Sequence, residues 1–178
     1  DLPVPYYDKL GMRVPDVFDD FILPSPGGRG REGVVISGLD RYRATLAHMV
    51  GHRRWTNAQI ADNWSPFQRM AVEFFEDCRI EILLCREYPG LKHIFLALHP
   101  HPAEDACNPE TTSCLRHRMT MLSRALLDPH HGYRDADLLA YVERFHDLMA
   151  GGESSTTDIA VLALSYVAKT RRQSDQFA

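Results

Sequence analysis

Long apolar runs are absent from this chain of 178 residues. A membrane-spanning helix needs about 18 or more consecutive apolar residues. The longest apolar stretch, residues 159–168, is shorter and is interrupted by Ser165 and Tyr166. A large excess of charge of one sign is also absent, because the net charge is only -4. A broad basic surface of the kind that binds nucleic acid is therefore not expected. We predict a protein with neither a membrane nor a nucleic acid as its partner.

Cysteine is scarce as well, and the 4 cysteines are Cys78, Cys85, Cys107 and Cys114. This content does not indicate a small secreted domain held together by disulfides. Cys78 and Cys85 share one predicted helix and lie about 10 Å apart along its axis, which is too far for a disulfide. We therefore expect reduced, buried thiols and a cytoplasmic protein.

Strand-like alternation is nearly absent, and helical periodicity runs through most of the chain. These patterns predict an all-α fold with about five to six helices. We expect an irregular segment and linker at residues 1–33, with one short helix over residues 16–22, followed by a helical domain at 34–178. The predicted helices cover residues 38–52, 66–88, 111–127, 134–149 and 156–173, and residues 91–98 form either a short helix or a strand.

The second helix has the clearest start signal in the sequence. Ser65 is placed to cap it, Pro66 is its first residue, and Gln68 completes a capping box with Ser65. Pro89 and Gly90 follow the helix and predict its end.

The same helix carries acids on its apolar side. A helical wheel places Asp77 and Glu81 among the apolar residues and Arg79 on the opposite, polar side. A carboxylate on an apolar face must be paired, ligated or protonated. We expect Asp77 and Glu81 to form structural pairs with arginines or histidines of the preceding helix.

The first predicted helix contains two histidines one turn apart, in the string LAHMVGH. Its predicted apolar stripe consists of Leu39, Tyr42, Leu46, Met49 and Val50. Residues four apart share a helix face, so His48 and His52 point in one direction. We expect both histidines to flank the stripe and to hydrogen-bond to neighbouring acids.

A zinc site is the alternative interpretation of this pair. His48 and His52 are placed to bind zinc through their ring nitrogens, but the H-E-x-x-H motif needs a glutamate where this chain has Met49. A third ligand would come from the next helix, from Glu73, Asp77 or Glu81. The fold would then be a degenerate relative of the zincins, without the usual general base.

A second group of ligand-type residues lies between residues 99 and 117, and it consists of His99, His101, Cys107, Cys114 and His117. The spacing of its cysteines matches no standard structural zinc pattern. We predict no metal site there.

Three strings of this sequence carry a family resemblance: ISGLDRYRATLAHMVGHRRW, SPFQRMAVEFFEDCRIE and REYPGLKHIFLALHP. They resemble the helical region upstream of the von Willebrand factor A domain in the NorD/CbbO family. The most specific part is an E-D-x-R-x-E string followed by YPGL. The residues of this pattern are Glu76, Asp77, Arg79 and Glu81, then Tyr88, Pro89, Gly90 and Leu91.

The resemblance implies an adaptor rather than an enzyme. Members of this family work with hexameric AAA+ ATPases of the MoxR class. The CbbO type acts with the ATPase CbbQ to release inhibitory sugar phosphates from Rubisco, and the NorD type is linked to maturation of nitric oxide reductase.

The family's known metal site lies elsewhere. Its von Willebrand domain binds Mg²⁺ through a D-x-S-x-S loop, and that pattern does not occur in this chain. We therefore expect no cofactor in this segment, no catalytic residues, and a von Willebrand domain downstream in a longer protein. The expected function is that of an adaptor segment with Rubisco as the client; the alternatives are a NorD-type maturation factor and a zinc metallohydrolase that uses His48 and His52.

Overall fold

The computed structural model describes residues 4–23, 34–108, 113–152 and 154–171. In this part of the chain six α-helices confirm the all-α prediction. They are α1 (Gly38–Trp55), α2 (Pro66–Glu87), α3 (Lys92–Leu98), α4 (Leu115–Leu127), α5 (Ala136–Ala150) and α6 (Thr156–Thr170). Residues 91–98, predicted as a helix or a strand, are therefore mostly helical. No helix within the described residues has both the length and the apolar character needed to cross a bilayer.

Two short antiparallel ladders precede the helices. The first joins β1 (Tyr6–Asp8) to β2 (Gly11–Arg13), and the second joins β3 (Phe21–Leu23) to β4 (Val34–Ile36). The helix predicted over residues 16–22 is wrong, because residues 16–20 are irregular and β3 begins at residue 21. A helix of two turns is marginal without packing, and pairing with β4 gives this segment its backbone hydrogen bonds instead. The linker predicted at residues 24–33 lies outside the described residues.

The predicted start of α2 is confirmed. The Ser65 hydroxyl accepts a hydrogen bond from the Gln68 N–H, and the Gln68 side chain accepts one from the Ser65 N–H at 2.8 Å. After α2, Pro89 and Gly90 form one exposed 3-10 turn that leads directly into α3.

The central element is α2, which packs against α1, α4 and α6. Phe75 of α2 contacts Phe145 of α5 and Tyr166 of α6, with ring centroids 6.0 and 5.6 Å apart. The prediction that Arg79 lies on a polar side of α2 is wrong, because helices surround α2 and the Arg79 side chain is only 1% exposed. Its charge is buried beside Glu76, at a contact of 2.7 Å.

The buried face of α1 differs from the predicted stripe. Met49 is buried as expected, but Leu39, Tyr42 and Val50 are exposed. The face that meets α2 instead carries small residues, including Gly51, where an added Cβ would lie 2.4 Å from a methyl carbon of Ile80. Close approach of two helices selects small side chains, which a search for large apolar residues does not detect.

The cysteine prediction is wrong for one pair. Cys78 and Cys85 are free thiols, as predicted, but Cys107 and Cys114 form a disulfide with their Cα atoms 5.8 Å apart. The distance along a helix axis excludes a disulfide only when both cysteines lie on one helix. Cys107 lies in a loop, and Cys114 immediately precedes α4. The separation of their Cα atoms, 5.8 Å, is within the range that a disulfide requires.

Candidate functional site

The two histidines of α1 and one acid of α2 point toward a common centre. The Nε2 atoms of His48 and His52 are 2.9 Å apart. Asp77 Oδ1 lies 3.0 Å from His52 Nε2 and 3.4 Å from His48 Nε2. These three side chains form the one group of potential metal ligands found among the described residues.

Glu81 lies behind His48 rather than at this centre. Its Oε1 is 3.4 Å from Nδ1 of His48, the ring nitrogen that faces away from His52. Its Oε2 is 2.6 Å from Nε2 of His99, the residue that ends α3. This buried carboxylate therefore links α1 and α2 to the end of α3.

The second nitrogen of His52 leads into a buried polar network. His52 Nδ1 is 2.9 Å from the Thr56 hydroxyl, which donates a 2.6 Å hydrogen bond to Glu76. Glu76 also accepts hydrogen bonds from Arg79 and from the hydroxyl of Thr156, the first residue of α6. Each imidazole thus has a polar partner on the side opposite Asp77: Glu81 for His48 and Thr56 for His52.

The charges in this cluster shift the ionisation of its members. Burial alone would lower the pKa of His48, but its hydrogen bonds and charge interactions with Asp77 and Glu81 outweigh burial and raise that pKa to about 9. Burial alone would raise the pKa of Asp77, but His48 and His52 lower it to about 2. The pKa of Glu81 is lowered by His48 and His99 despite its burial.

The cluster forms one wall of a cavity of about 580 Å³. Apolar side chains from α2 and α3, including Phe74, Phe95 and Leu98, line much of this cavity. The side chain of Asp77 is 46% exposed and those of both histidines are 26% exposed, so a small ion has access to the centre. From the N-terminal hairpin, Tyr7 donates a hydrogen bond to the backbone carbonyl of Met49.

The structure therefore brings together His48, His52 and Asp77 of the predicted ligands. Glu81 is close but contacts the outer nitrogen of His48, and Glu73 is exposed on α2 and outside the cluster. The predicted hydrogen bond to a neighbouring acid is confirmed for His52, which meets Asp77, whereas His48 lies 3.4 Å from both Asp77 and Glu81.

Two contributors were missed by the sequence analysis. Thr56 lies four positions after His52, so its contact with His52 follows from helical spacing. His99 had no such local signal, because it meets Glu81 only through the packing of α3 near α2. The other histidines of residues 99–117 do not join a cluster among the described residues: His101 contacts the His131 carbonyl, and His117 of α4 contacts the Ala103 carbonyl.

Comparisons of the chain with protein-family models, with curated proteins and with solved structures found no match.

Proposed function

We propose that this chain is a non-enzymatic scaffold segment of a cytoplasmic adaptor for a hexameric MoxR-class AAA+ ATPase. One observation supports this proposal beyond the resemblance itself. Three charged residues of the E-D-x-R-x-E string are buried, because Glu76, Arg79 and Glu81 are 4%, 1% and 7% exposed. Their polar contacts connect helices inside the protein. Charged residues used in this way define the shape of a scaffold and are not available to a substrate.

The client proposed for this adaptor is Rubisco, with a CbbQ-like ATPase that releases inhibitory sugar phosphates. The overall likeness of the three sequence strings favours this client. Nitric oxide reductase, the client of the NorD type, is the alternative within the same class. In either case client binding through Mg²⁺ would belong to a von Willebrand domain outside this chain.

Affinity capture tests the adaptor proposal. The full-length protein that carries this chain is used as bait in its native lysate, with ATP and without it, and the eluate is identified by mass spectrometry. We expect a MoxR-class ATPase together with Rubisco. Recovery of nitric oxide reductase instead would replace the client, and absence of the ATPase from both eluates would overturn the adaptor proposal.

A reconstituted assay provides the second measurement. The purified bait is added to the recovered ATPase, and the rate of ATP hydrolysis is compared with the rate of the ATPase alone. An unchanged ATPase rate with the wild-type protein would contradict the proposal.

Metal-dependent hydrolysis is the second candidate function. It is favoured by the convergence of His48, His52 and Asp77 on the wall of a largely apolar cavity. Met49 supplies no base, and Glu81, a buried acid adjacent to a histidine of this group, is already held by His48 and His99. Hydrolysis of chromogenic ester and peptide substrates by the zinc-loaded chain tests this candidate, and a rate equal to that of His52→Gln would exclude it.

A further inference from the structure

We infer that His48, His52 and Asp77 form a binding site for a divalent first-row transition metal ion such as Zn²⁺. This site does not depend on the adaptor proposal, and it does not require hydrolytic activity. Three features of the described residues support it: the hydrogen count at the centre, the dimensions of the ligand triangle, and the polar partners at the outer nitrogens of both histidines.

The hydrogen count begins with Thr56. The single hydroxyl hydrogen of Thr56 is donated to Glu76, so the Thr56 oxygen accepts from His52 and the Nδ1 of His52 carries a hydrogen. Neutral His52 therefore presents a lone pair at Nε2. The Nδ1 of His48 faces the carboxylate of Glu81 at 3.4 Å, which favours a hydrogen on that nitrogen as well.

When both imidazoles are neutral, three acceptor atoms face one another: Nε2 of His48, Nε2 of His52 and Oδ1 of Asp77. The sides of their triangle are 2.9, 3.0 and 3.4 Å. A single hydrogen on one of the two Nε2 atoms forms a hydrogen bond along one side of this triangle. Two lone pairs then still face each other along another side. A second hydrogen on the other imidazole would bring two N–H groups together. A metal ion at the centre satisfies all three lone pairs at once.

The dimensions also suit a metal. At zinc bond lengths of about 2.0–2.2 Å, neighbouring ligand atoms of a tetrahedral site lie about 3.3–3.5 Å apart. The shortest observed side, 2.9 Å, has to lengthen by only a few tenths of an ångström. Small rotations of the His48 and His52 side chains, which lie four positions apart on one helix, supply this change.

The polar partners at the outer nitrogens resemble those of metal-binding histidines. Such histidines donate the hydrogen of the second ring nitrogen to a carboxylate or another oxygen, which fixes the ring and the tautomer. Here the Glu81 carboxylate lies 3.4 Å from Nδ1 of His48, and the Thr56 hydroxyl accepts from His52 and is itself held by Glu76. This arrangement prepares Nε2 of both rings for a ligand.

The donor set defines the class of ion. Two imidazole nitrogens and one carboxylate oxygen suit zinc, iron, cobalt or nickel, whereas Mg²⁺ and Ca²⁺ prefer oxygen ligands alone. The half-exposed Asp77 leaves the centre open on one side, so water completes the coordination. We expect one ion per chain.

The test uses the untagged full chain, stripped with a chelator and dialysed against Zn²⁺. The bound zinc is counted by elemental analysis, its affinity is measured by competition with a chromogenic chelator, and Co²⁺ absorption reports the coordination. We expect one equivalent of zinc, no displacement by excess Mg²⁺, and a tetrahedral or five-coordinate Co²⁺ spectrum.

Variants locate the site. Asp77→Asn preserves the shape of the side chain and should weaken zinc affinity at least tenfold. Thr56→Val touches no ligand atom and should weaken it roughly 10–100-fold through loss of the outer hydrogen bond. The matched control is His93→Ala, because His93 is an exposed histidine of α3. Less than half an equivalent of zinc in the wild-type chain, or equal affinity in Asp77→Asn and wild type, would overturn the inference.

Discussion

At the scale of single residues, Glu81 is a buried acid that pairs with two histidines. It is 7% exposed and lies between His48 and His99. Glu81→Ala removes the carboxylate that pairs with both histidines, and removal of one member of a buried pair costs about 3–5 kcal/mol. We expect a loss of about 3 kcal/mol in the free energy of unfolding, measured by urea denaturation.

The matched control is Glu73→Ala on the exposed side of the same helix. Its unfolding free energy should remain within about 0.5 kcal/mol of the wild-type value. A Glu81→Ala loss as small as that of the control would contradict the structural role of Glu81.

The pKa of His48 predicts a pH dependence of stability. Its pKa rises from 6.5 to about 9 in the folded protein. A raised pKa means that the folded state binds the proton more tightly. The stabilisation is therefore complete below about pH 6.5 and is lost as the pH rises through 9. The loss should be at most about 3 kcal/mol, and smaller because Asp77 is half exposed and its charge is screened by solvent.

The measurement is urea denaturation of the chelator-treated chain at intervals between pH 6.5 and 9.5. The variant His48→Gln should show a flatter profile over this range, and His93→Ala should retain the wild-type slope. Equal slopes in His48→Gln and wild type would show that another group carries the pH dependence.

At the scale of elements, the contact between α1 and α2 depends on Gly51. A Cβ at this position would lie 2.4 Å from Cγ2 of Ile80 and 3.2 Å from Cδ1 of Leu84, both buried on α2. Alanine has the better helix propensity, but overpacking of a close contact costs about 1–3 kcal/mol. We expect Gly51→Ala to lower the melting temperature.

Gly90→Ala is the control for this prediction. No atom lies within 4 Å of an added Cβ at Gly90, which belongs to the exposed 3-10 turn after α2. Its melting temperature should stay close to that of the wild type. A Gly51→Ala variant with an unchanged melting temperature would mean that α1 and α2 separate easily.

Helix starts and helix faces differed in how well they could be predicted. The start of α2 depends on Ser65, Pro66 and Gln68, which interact over three residues, so the sequence pattern was sufficient. The buried face of α1 depends on which helix it meets. Ala44 and Gly51 face inward there because α2 approaches closely, while large apolar residues such as Val50 remain exposed.

At the scale of the whole molecule, Arg79 connects three distant parts of the chain. Its guanidinium donates hydrogen bonds to the Trp55 carbonyl at the end of α1, to Glu76 of α2, and to the Thr156 hydroxyl at the start of α6. Arg79→Met strands the buried Glu76 carboxylate. We expect a loss of about 3–5 kcal/mol in the free energy of unfolding.

A double variant separates charge burial from packing. In Glu76→Gln combined with Arg79→Met, both side chains are neutral, so no buried charge remains at these two positions. The amide oxygen introduced by Glu76→Gln can still accept the hydrogen bonds from Thr56 and Thr156. We expect this double variant to be roughly 2 kcal/mol more stable than Arg79→Met alone. Denaturation curves of both variants check this, and a double variant less stable than the single one would contradict it.

The sequence by itself determined the features that depend on neighbouring residues. These are the all-α class, the capping box of α2, the shared face of His48 and His52, and the need of Asp77 and Glu81 for partners. Each follows from interactions within one or two helical turns.

Only the tertiary structure decided which residues meet across elements. It placed Asp77 at the centre with both histidines and Glu81 behind His48, added His99 from the end of α3, and buried Arg79 beside α6. It also joined Cys107 to Cys114. The physical reason is that helical spacing specifies a direction around one helix, whereas the packing of separate segments decides what lies in that direction.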